Sequence, residues 1–502
     1  MSEVAGVSNL IVLRVVSVLG LVFAVAPVVS NGQSDAAHPA GPPAASAALG
    51  RLHEVLALVE RGDPATAAAY VTAHFAPEGA GISAGEALNT LAELHDRTHG
   101  LERIACSATG PAEATADGTA RLTEEPTGLR VRVDPLPPHR ITSLQRVRPA
   151  PRPQETVPGA TRLTDGEIAT AVDEYAGRLA DADAFSGVIL LARDGQPFLL
   201  RAYGQANKDF DVPNRPDTRF NLGSVTKMFT AVAALQLAER GRLSLDDPLA
   251  KFLPDVPDPE SASRITVRHL LTHTAGLGDH VSAMARDPFR ARYRNVDRMV
   301  ELVRGVPPLF EPGTRWRYSN SGFLVLGKVV EKASGEDYYD YVRRNVFGRA
   351  GMVDTDFCEL DRVNPRLAVG YEREFSGGLG YWRSNHFDQF VRGGPEGGAY
   401  STAEDLLRFD RALRSHKLLG PELTRLATTA NPAPDSPGYG YGFEVEQGGK
   451  IVGHGGSFVG AHTKFDMYQD ADCTAVVLSN YGGAARPVIA RIRRLLCPAD
   501  EK

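Results

Sequence analysis

Lysine is scarce in this chain, supplying nine of the 55 basic residues, so each one carries information. Tryptophan occurs twice and cysteine four times in 502 residues. The cysteines, at 106, 358, 473 and 497, form no C-x-x-C pair, which excludes zinc ribbons and thioredoxin-type redox motifs. No block of basic residues occurs and the net charge is −6, which excludes nucleic acid as a partner. Beyond one N-terminal stretch, no apolar run is long enough to span a bilayer. Hydrophobic residues at 43% and charged residues at 23% fit a globular chain and rule out a fibrous or wholly disordered one. The length calls for two or three domains. Gly 50 and Pro 34 add turns and linkers.

The N-terminus reads as an address. Val15 to Val29 is almost purely apolar, follows Arg14, and ends at the small-residue site Val28-Val29-Ser30. Residues 1–30 are a secretory signal peptide on this pattern, or a membrane anchor if Leu10 to Val29 stays uncleaved. The expected location is therefore exported, periplasmic or extracellular, with at most a single membrane tether. Residues 31–46, rich in Pro and Ala, form a disordered linker. Residues 47–148 read as a small α+β domain. Leu52, Val55, Leu56, Leu58 and Val59 make a helical stripe, Leu91, Leu94 and His95 belong to a second helix, and Leu129 to Val133 alternates as a strand. Ile141 to Val147 suggests another strand. This domain shows no catalytic constellation. A Pro-rich linker at 149–160 separates it from the main domain, 161–498.

The segment Ser224-Val225-Thr226-Lys227 opens a helix that is apolar on more than one side, through Met228, Phe229, Val232, Leu235 and Leu237. Ser224 sits at the helix N-terminus, where backbone N–H groups favour a developing anion. Lys227 lies three residues on, on the same face. Burial there lowers its pKa and lets the amine act as a base for the serine hydroxyl. The competing reading is a capping serine followed by a surface lysine. Two Y-x-N triplets follow. Tyr293-Arg294-Asn295 lies in an Arg-rich stretch and reads as a solvated face. Tyr318-Ser319-Asn320 joins a turn to an apolar helix, where Tyr318 can point into a cleft with its pKa lowered by the ammonium. Asn320 offers an amide to a substrate carbonyl, or merely caps the helix. In Ile451-Val452-Gly453-His454-Gly455-Gly456-Ser457, a strand loses its side chains at two glycines, so a ligand can approach the backbone. His454 would face the cleft and the Ser457 N–H would join that of Ser224 in an oxyanion hole. A glycine-rich hairpin bearing a surface histidine fits this segment too.

Taken in this order and spacing, the three elements resemble the penicillin-recognising serine hydrolases, related to the S-x-x-K, S-D-N, K-T-G set. The resemblance is to the branch of class C β-lactamases, D-aminopeptidases, D-Ala-D-Ala carboxypeptidases and β-lactamase-fold esterases. Arg268 to Leu277, Pro312 to Asn320, Gly397 to Thr402 and Tyr439 to Gly442 resemble it as well. It implies an α/β (α+β) β-lactamase/transpeptidase-like fold: an antiparallel sheet built from both ends of the domain, flanked by helices, with a helical subdomain from about 224 to 430. By the same resemblance Ser224 is the nucleophile and Lys227 and Tyr318 share base and acid work. Asn320, His454, Gly455, Gly456 and Ser457 bind substrate.

His454 stands where the family carries a lysine that holds substrate carboxylates. A neutral imidazole supplies no fixed charge. The implied substrate is a small ester or amide, or a short peptide, rather than an efficiently cleaved β-lactam. The rivals are a true β-lactamase, or a binding module that holds cell-wall peptide with little turnover. No cofactor is called for, and oligomeric state is open. His269 and His273 are four apart, but no glutamate follows as in H-E-x-x-H, so no metal site is expected. Cys473 and Cys497 open a strand and close the returning helix. They form a disulfide or two buried thiols.

Overall fold

The computed structural model describes residues 44–149 and 163–497. The expected signal or anchor and almost all of the second linker lie outside these residues. Among the described residues no helix is long and apolar enough to cross a membrane.

Three helices, α1 (Ala44–Arg61), α2 (Pro64–His74) and α3 (Ala84–Thr98), precede four strands. These are β1 (Leu101–Gly110), β2 (Glu113–Ala120), β3 (Pro126–Val133) and β4 (Ile141–Val147), an antiparallel sheet in that order. Helix α1 begins inside the segment read as linker. Leu52, Val55 and Val59 of α1 share a core with Leu91 and Leu94 of α3 and with Leu129 and Val131 of β3. Strand β2 reads Glu-Ala-Thr-Ala-Asp-Gly-Thr-Ala, and its burial alternates without a break. The inward positions hold only Ala114, Ala116, Gly118 and Ala120, so the period is real but carried by residues too small to announce it.

The principal elements of the remainder begin with α4 (Asp165–Asp181), β5 (Gly187–Arg193) and β6 (Gln196–Tyr203). Then come α5 (Thr226–Glu239), α6 (Asn320–Ser334), the hairpin β7 (Tyr371–Ser376) and β8 (Leu379–Ser384), and α7 (Ala403–Arg414). Strands β9 (Glu444–Glu446), β10 (Ile451–Phe458), β11 (Ala461–Tyr468) and β12 (Cys473–Ser479) lead into α8 (Ala485–Leu496). The sheet runs β9-β10-β11-β12-β5-β6, antiparallel throughout. Strands from both ends of the domain therefore meet at the β12–β5 pair.

That sheet is covered on both faces, which explains why β5 and β12 are apolar without alternation. Ile189, Leu191, Ala475 and Val477 face a core under α4 and α8. Val188, Leu190, Val476 and Leu478 face the core shared with α5, α6 and α7. Each residue fills one core or the other, as a side-chain period of two requires. Cys473 and Cys497 stay thiols rather than a disulfide. The Cys473 Sγ–H donates to Ala471 O at 3.3 Å.

Candidate active site

Ser224 lies in a single 3₁₀ turn, Gly223–Val225, immediately before α5. Asn221 Oδ1 accepts from the Gly223 amide at 2.8 Å, and Thr226 Oγ1 donates to Gly223 O at 2.8 Å. Gly223 has φ +50°, and a Cβ there would stand 2.7 Å from the Ser457 nitrogen. On the facing strand, a Cβ at Gly456 would stand 1.9 Å from Leu222 O and 3.1 Å from the Ser224 nitrogen. Two glycines thus let β10 close onto the turn, bringing the amides of Ser224 and Ser457 to one seam.

Every residue of α5 from Thr226 to Leu237 is buried, and Lys227 is 0% exposed. Its Nζ is 3.1 Å from Ser224 Oγ, 2.8 Å from Asn320 Oδ1 and 2.5 Å from Glu396 O. Burial pulls the amine down to a pKa of about 7, against the opposing pull of Glu396, Asp279 and Glu444. Asn320, the first residue of α6, has a fixed orientation. Its Nδ2 donates to Asp279 Oδ2 at 2.8 Å, and since a carboxylate only accepts, Oδ1 must face Lys227.

The Tyr318 ring stacks on His273 at 4.3 Å and lies 4.8 Å from Lys227 Nζ. Burial pushes its phenol well above the usual tyrosine range, and its hydrogen bond with Ser224 offsets only part of that. This corrects the expectation of a phenol lowered by an ammonium. The amine beside it, titrating near pH 7, carries at most a partial charge at neutral pH, and desolvation dominates.

His454 was expected to face the cleft. Instead it is 2% exposed, its ring 6.2 Å from that of Tyr318. Its Nε2 is 3.0 Å from Tyr439 Oη and its Nδ1 is 3.7 Å from Glu444 Oε1. Burial lowers its pKa, opposed by Glu444, so the ring adds no fixed positive charge. Lys464 Nζ, 3.3 Å from Glu444 Oε2, is likewise committed.

Ser224, Asn320 and Ser457 line an open cleft. Lys227, Tyr318, His454, Gly455 and Gly456 are not among the residues that line it. Val281, Met284, Leu360 and Phe390 make the cleft largely apolar. Among the described residues, Glu396 is its one Asp or Glu, and no Arg, Lys or His lines it.

Tyr293-Arg294-Asn295 is not brought to this site; Asn295 is exposed and Arg294 half-buried, as a solvated face would be, but the tyrosine is not. Tyr293 is buried, its hydroxyl donating to Asp287 Oδ2 at 2.6 Å, and Asn295 caps a short helix. His273 accepts the Ser319 amide at 3.1 Å, and His269 Nδ1 accepts the Thr266 amide at 3.3 Å. Among the described residues no three His, Cys, Asp or Glu side chains gather as a metal site would require. Sequence reasoning missed Asp279, Glu396, Tyr439 and Glu444, although Tyr439 falls inside a quoted segment and Glu396 adjoins another.

The Beta-lactamase family model matches residues 171–498, and the chain belongs to that family. It is a serine hydrolase of the β-lactamase fold. The chain is 33% identical to a penicillin-binding protein from Bacillus halodurans of known structure. That likeness has a TM-score of 0.58 and covers 65% of this chain and 98% of the other. Esterase EstB of Burkholderia gladioli is 30% identical over 322 residues, 57% of this chain and 81% of that protein. Teichoic acid D-alanine hydrolase of Staphylococcus aureus is 26% identical over 255 residues, 50% of this chain and 59% of that protein. Residues 44–149 precede the matched region.

Proposed function

We propose that the chain is an exported hydrolase of small esters or amides that acts through an acyl-enzyme on Ser224. The observation that carries this reading is the 3.1 Å approach of the Lys227 amine, buried and lowered to a pKa of about 7 so that a neutral fraction exists at neutral pH, to the Ser224 hydroxyl. A neutral amine has two hydrogens and one lone pair. Asn320 Oδ1 and Glu396 O, both acceptors, take the hydrogens and leave the lone pair for the serine proton.

Ser224 Oγ then attacks the carbonyl carbon as its proton passes to Lys227 Nζ. The Ser224 and Ser457 amides receive the oxyanion, held by backbone that need not reorganise. Collapse expels the alcohol or amine, which takes its proton from Lys227 directly or by way of the Tyr318 hydroxyl. A phenol kept protonated by burial suits donation and relay better than service as a standing base. Water repeats the sequence on the acyl-enzyme and releases the acid.

Asn320 orients Lys227 and borders the substrate. Esters named for EstB and the D-alanine compound named for the Staphylococcus aureus relative fit this chemistry. Export rests on the apolar N-terminal stretch and on relatives named for penicillin binding and teichoic acid. A cleft lined by no Arg, Lys or His among the described residues disfavours penicillins and peptides ending in a free carboxylate.

Incubation with p-nitrophenyl acetate and a fluorophosphonate probe tests the assignment. Wild-type protein is expected to turn over the ester and take the label, and Ser224→Ala to do neither. Undiminished turnover in that variant discards the nucleophile.

A further inference from the structure

A second groove lies where residues 47–148 meet the catalytic domain, and it shares no lining residue with the Ser224 cleft. Three arginines from separate elements line it. Arg97 lies in the last turn of α3, Arg146 in β4 and Arg486 in the first turn of α8.

The carboxylates that line the groove are already paired. Asp96 accepts from Arg373 at 2.9 Å. Asp183 pairs with Lys208 at 2.9 Å and accepts the Trp382 indole N–H at 2.7 Å. Glu125 stands 3.5 Å from Arg486. Arg97 and Arg146 approach one carboxylate, Glu93, at 3.0 and 3.5 Å. Among the described residues, three guanidiniums therefore divide Glu93 and Glu125 between them. Partial burial, with Arg97 and Arg486 close by, holds the Arg146 guanidinium below its usual range. The helix dipole does not support the cluster either. The first turn of α8 has no acidic residue, and Arg486 stands at the positive end. Gathering these like charges opposes folding, and an anion in the groove offsets their repulsion.

The donors narrow the chemistry of that anion. A guanidinium presents its N–H groups as a planar fork that matches phosphate and carboxylate oxygens. A single carboxylate, with two oxygens and one charge, is too small a partner for three forks. A phosphoryl group offers three acceptor oxygens and close to two charges. Phe375, Trp382 and Tyr481 also line the groove and give the rest of a ligand an apolar surface.

We propose that this groove binds a phosphoryl-bearing ligand, held by Arg97 and Arg146 from the N-terminal unit and by Arg486 from the catalytic domain. Residues 47–148 then contribute half of a binding site, which needs no catalytic motif of their own. The proposal does not depend on the acyl-enzyme reading.

The test is calorimetric titration of the full chain with inorganic phosphate, and with malonate as a carboxylate control of similar charge. At low ionic strength phosphate is expected to bind with a Kd of about 1 mM or tighter, and malonate about threefold or more weakly. Arg146→Gln and Arg486→Gln should each weaken phosphate by about tenfold, the scale of one charge-assisted hydrogen bond. Glu93→Gln should instead tighten it by about threefold, because it frees Arg97 and Arg146 from the carboxylate they share. No phosphate binding, an affinity unmoved by the two arginine variants, or malonate binding as tightly overturns the proposal. Once phosphate binds, sedimentation with phosphatidylglycerol and phosphatidylcholine vesicles separates the sources. Excess binding to phosphatidylglycerol that Arg146→Gln abolishes identifies a lipid headgroup, and no excess identifies a soluble phosphate ester.

Discussion

Lys227 keeps its amine in the interior, surrounded by two carbonyl oxygens and one hydroxyl. A base must be unprotonated to work, so kcat/KM for a neutral ester is expected to rise through about pH 7, where the buried amine titrates. Lys227→Met should lower that rate by about 10²–10⁴-fold, and a pH–rate profile with the variant as control checks both points. The same burial makes stability depend on pH. The folded amine titrates at about 7 and the unfolded one near 10.5, so between these values the unfolded chain holds the extra proton. Wild-type stability relative to Lys227→Met should therefore rise from about pH 7 toward 10.5, as paired denaturant titrations would reveal. Tyr439→Phe removes the buried partner of His454 Nε2 and should cost about 1–3 kcal/mol by the same measurement.

Elements decide how the cleft is closed. Strand β10 meets the Ser224 turn through Gly456, where a methyl group would run into Leu222 O. Gly456→Ala is expected to part the seam and lower ester turnover by about 10²-fold or more, the scale of losing one oxyanion donor. Circular dichroism would verify that the fold survives. The hairpin β7–β8 carries the chain toward Gln389 and Phe390 on the cleft wall. Helix α3 grips that hairpin. Asp96 Oδ1 accepts from Arg373 at 2.9 Å, and Asn89 Oδ1 accepts the Gly378 amide at 3.0 Å. Residues 47–148, which showed no catalytic motif, thus touch the route to the wall. Asp96→Arg should raise KM more than it lowers kcat, and steady-state kinetics would expose the opposite split if the contact is idle. The strands with large apolar residues, such as β3, were legible in the sequence. Strand β2 was not, because α1 packs against inward positions that hold only alanine and glycine.

In the molecule as a whole, the N-terminal unit meets the catalytic domain through the α3–hairpin contact and through a short loop, residues 121–125. Leu122 enters the core under α4 and α8, and Tyr175 Oη donates to Thr123 O at 2.5 Å. Glu124 accepts from Arg178 and Arg494 at 3.1 Å and from Arg491 at 3.3 Å. These exposed pairs are individually weak, but three share one carboxylate. Glu124→Lys is expected to cost about 1–2 kcal/mol at the joint and to divide unfolding into two calorimetric steps. A single unshifted transition would show the loop to be passive. The sequence by itself determined the spacing of Ser224 and Lys227, because a helical offset of three residues puts two side chains on one face. It also determined the apolar helix that buries Lys227. Tertiary structure alone decided the charge states. The lowered Lys227, the raised Tyr318 and the inward His454 follow from desolvation, with Coulombic pulls from residues far off in sequence, such as Glu444, 217 positions from Lys227. Desolvation depends on which surfaces close over a group, and the order of residues along the chain does not contain that.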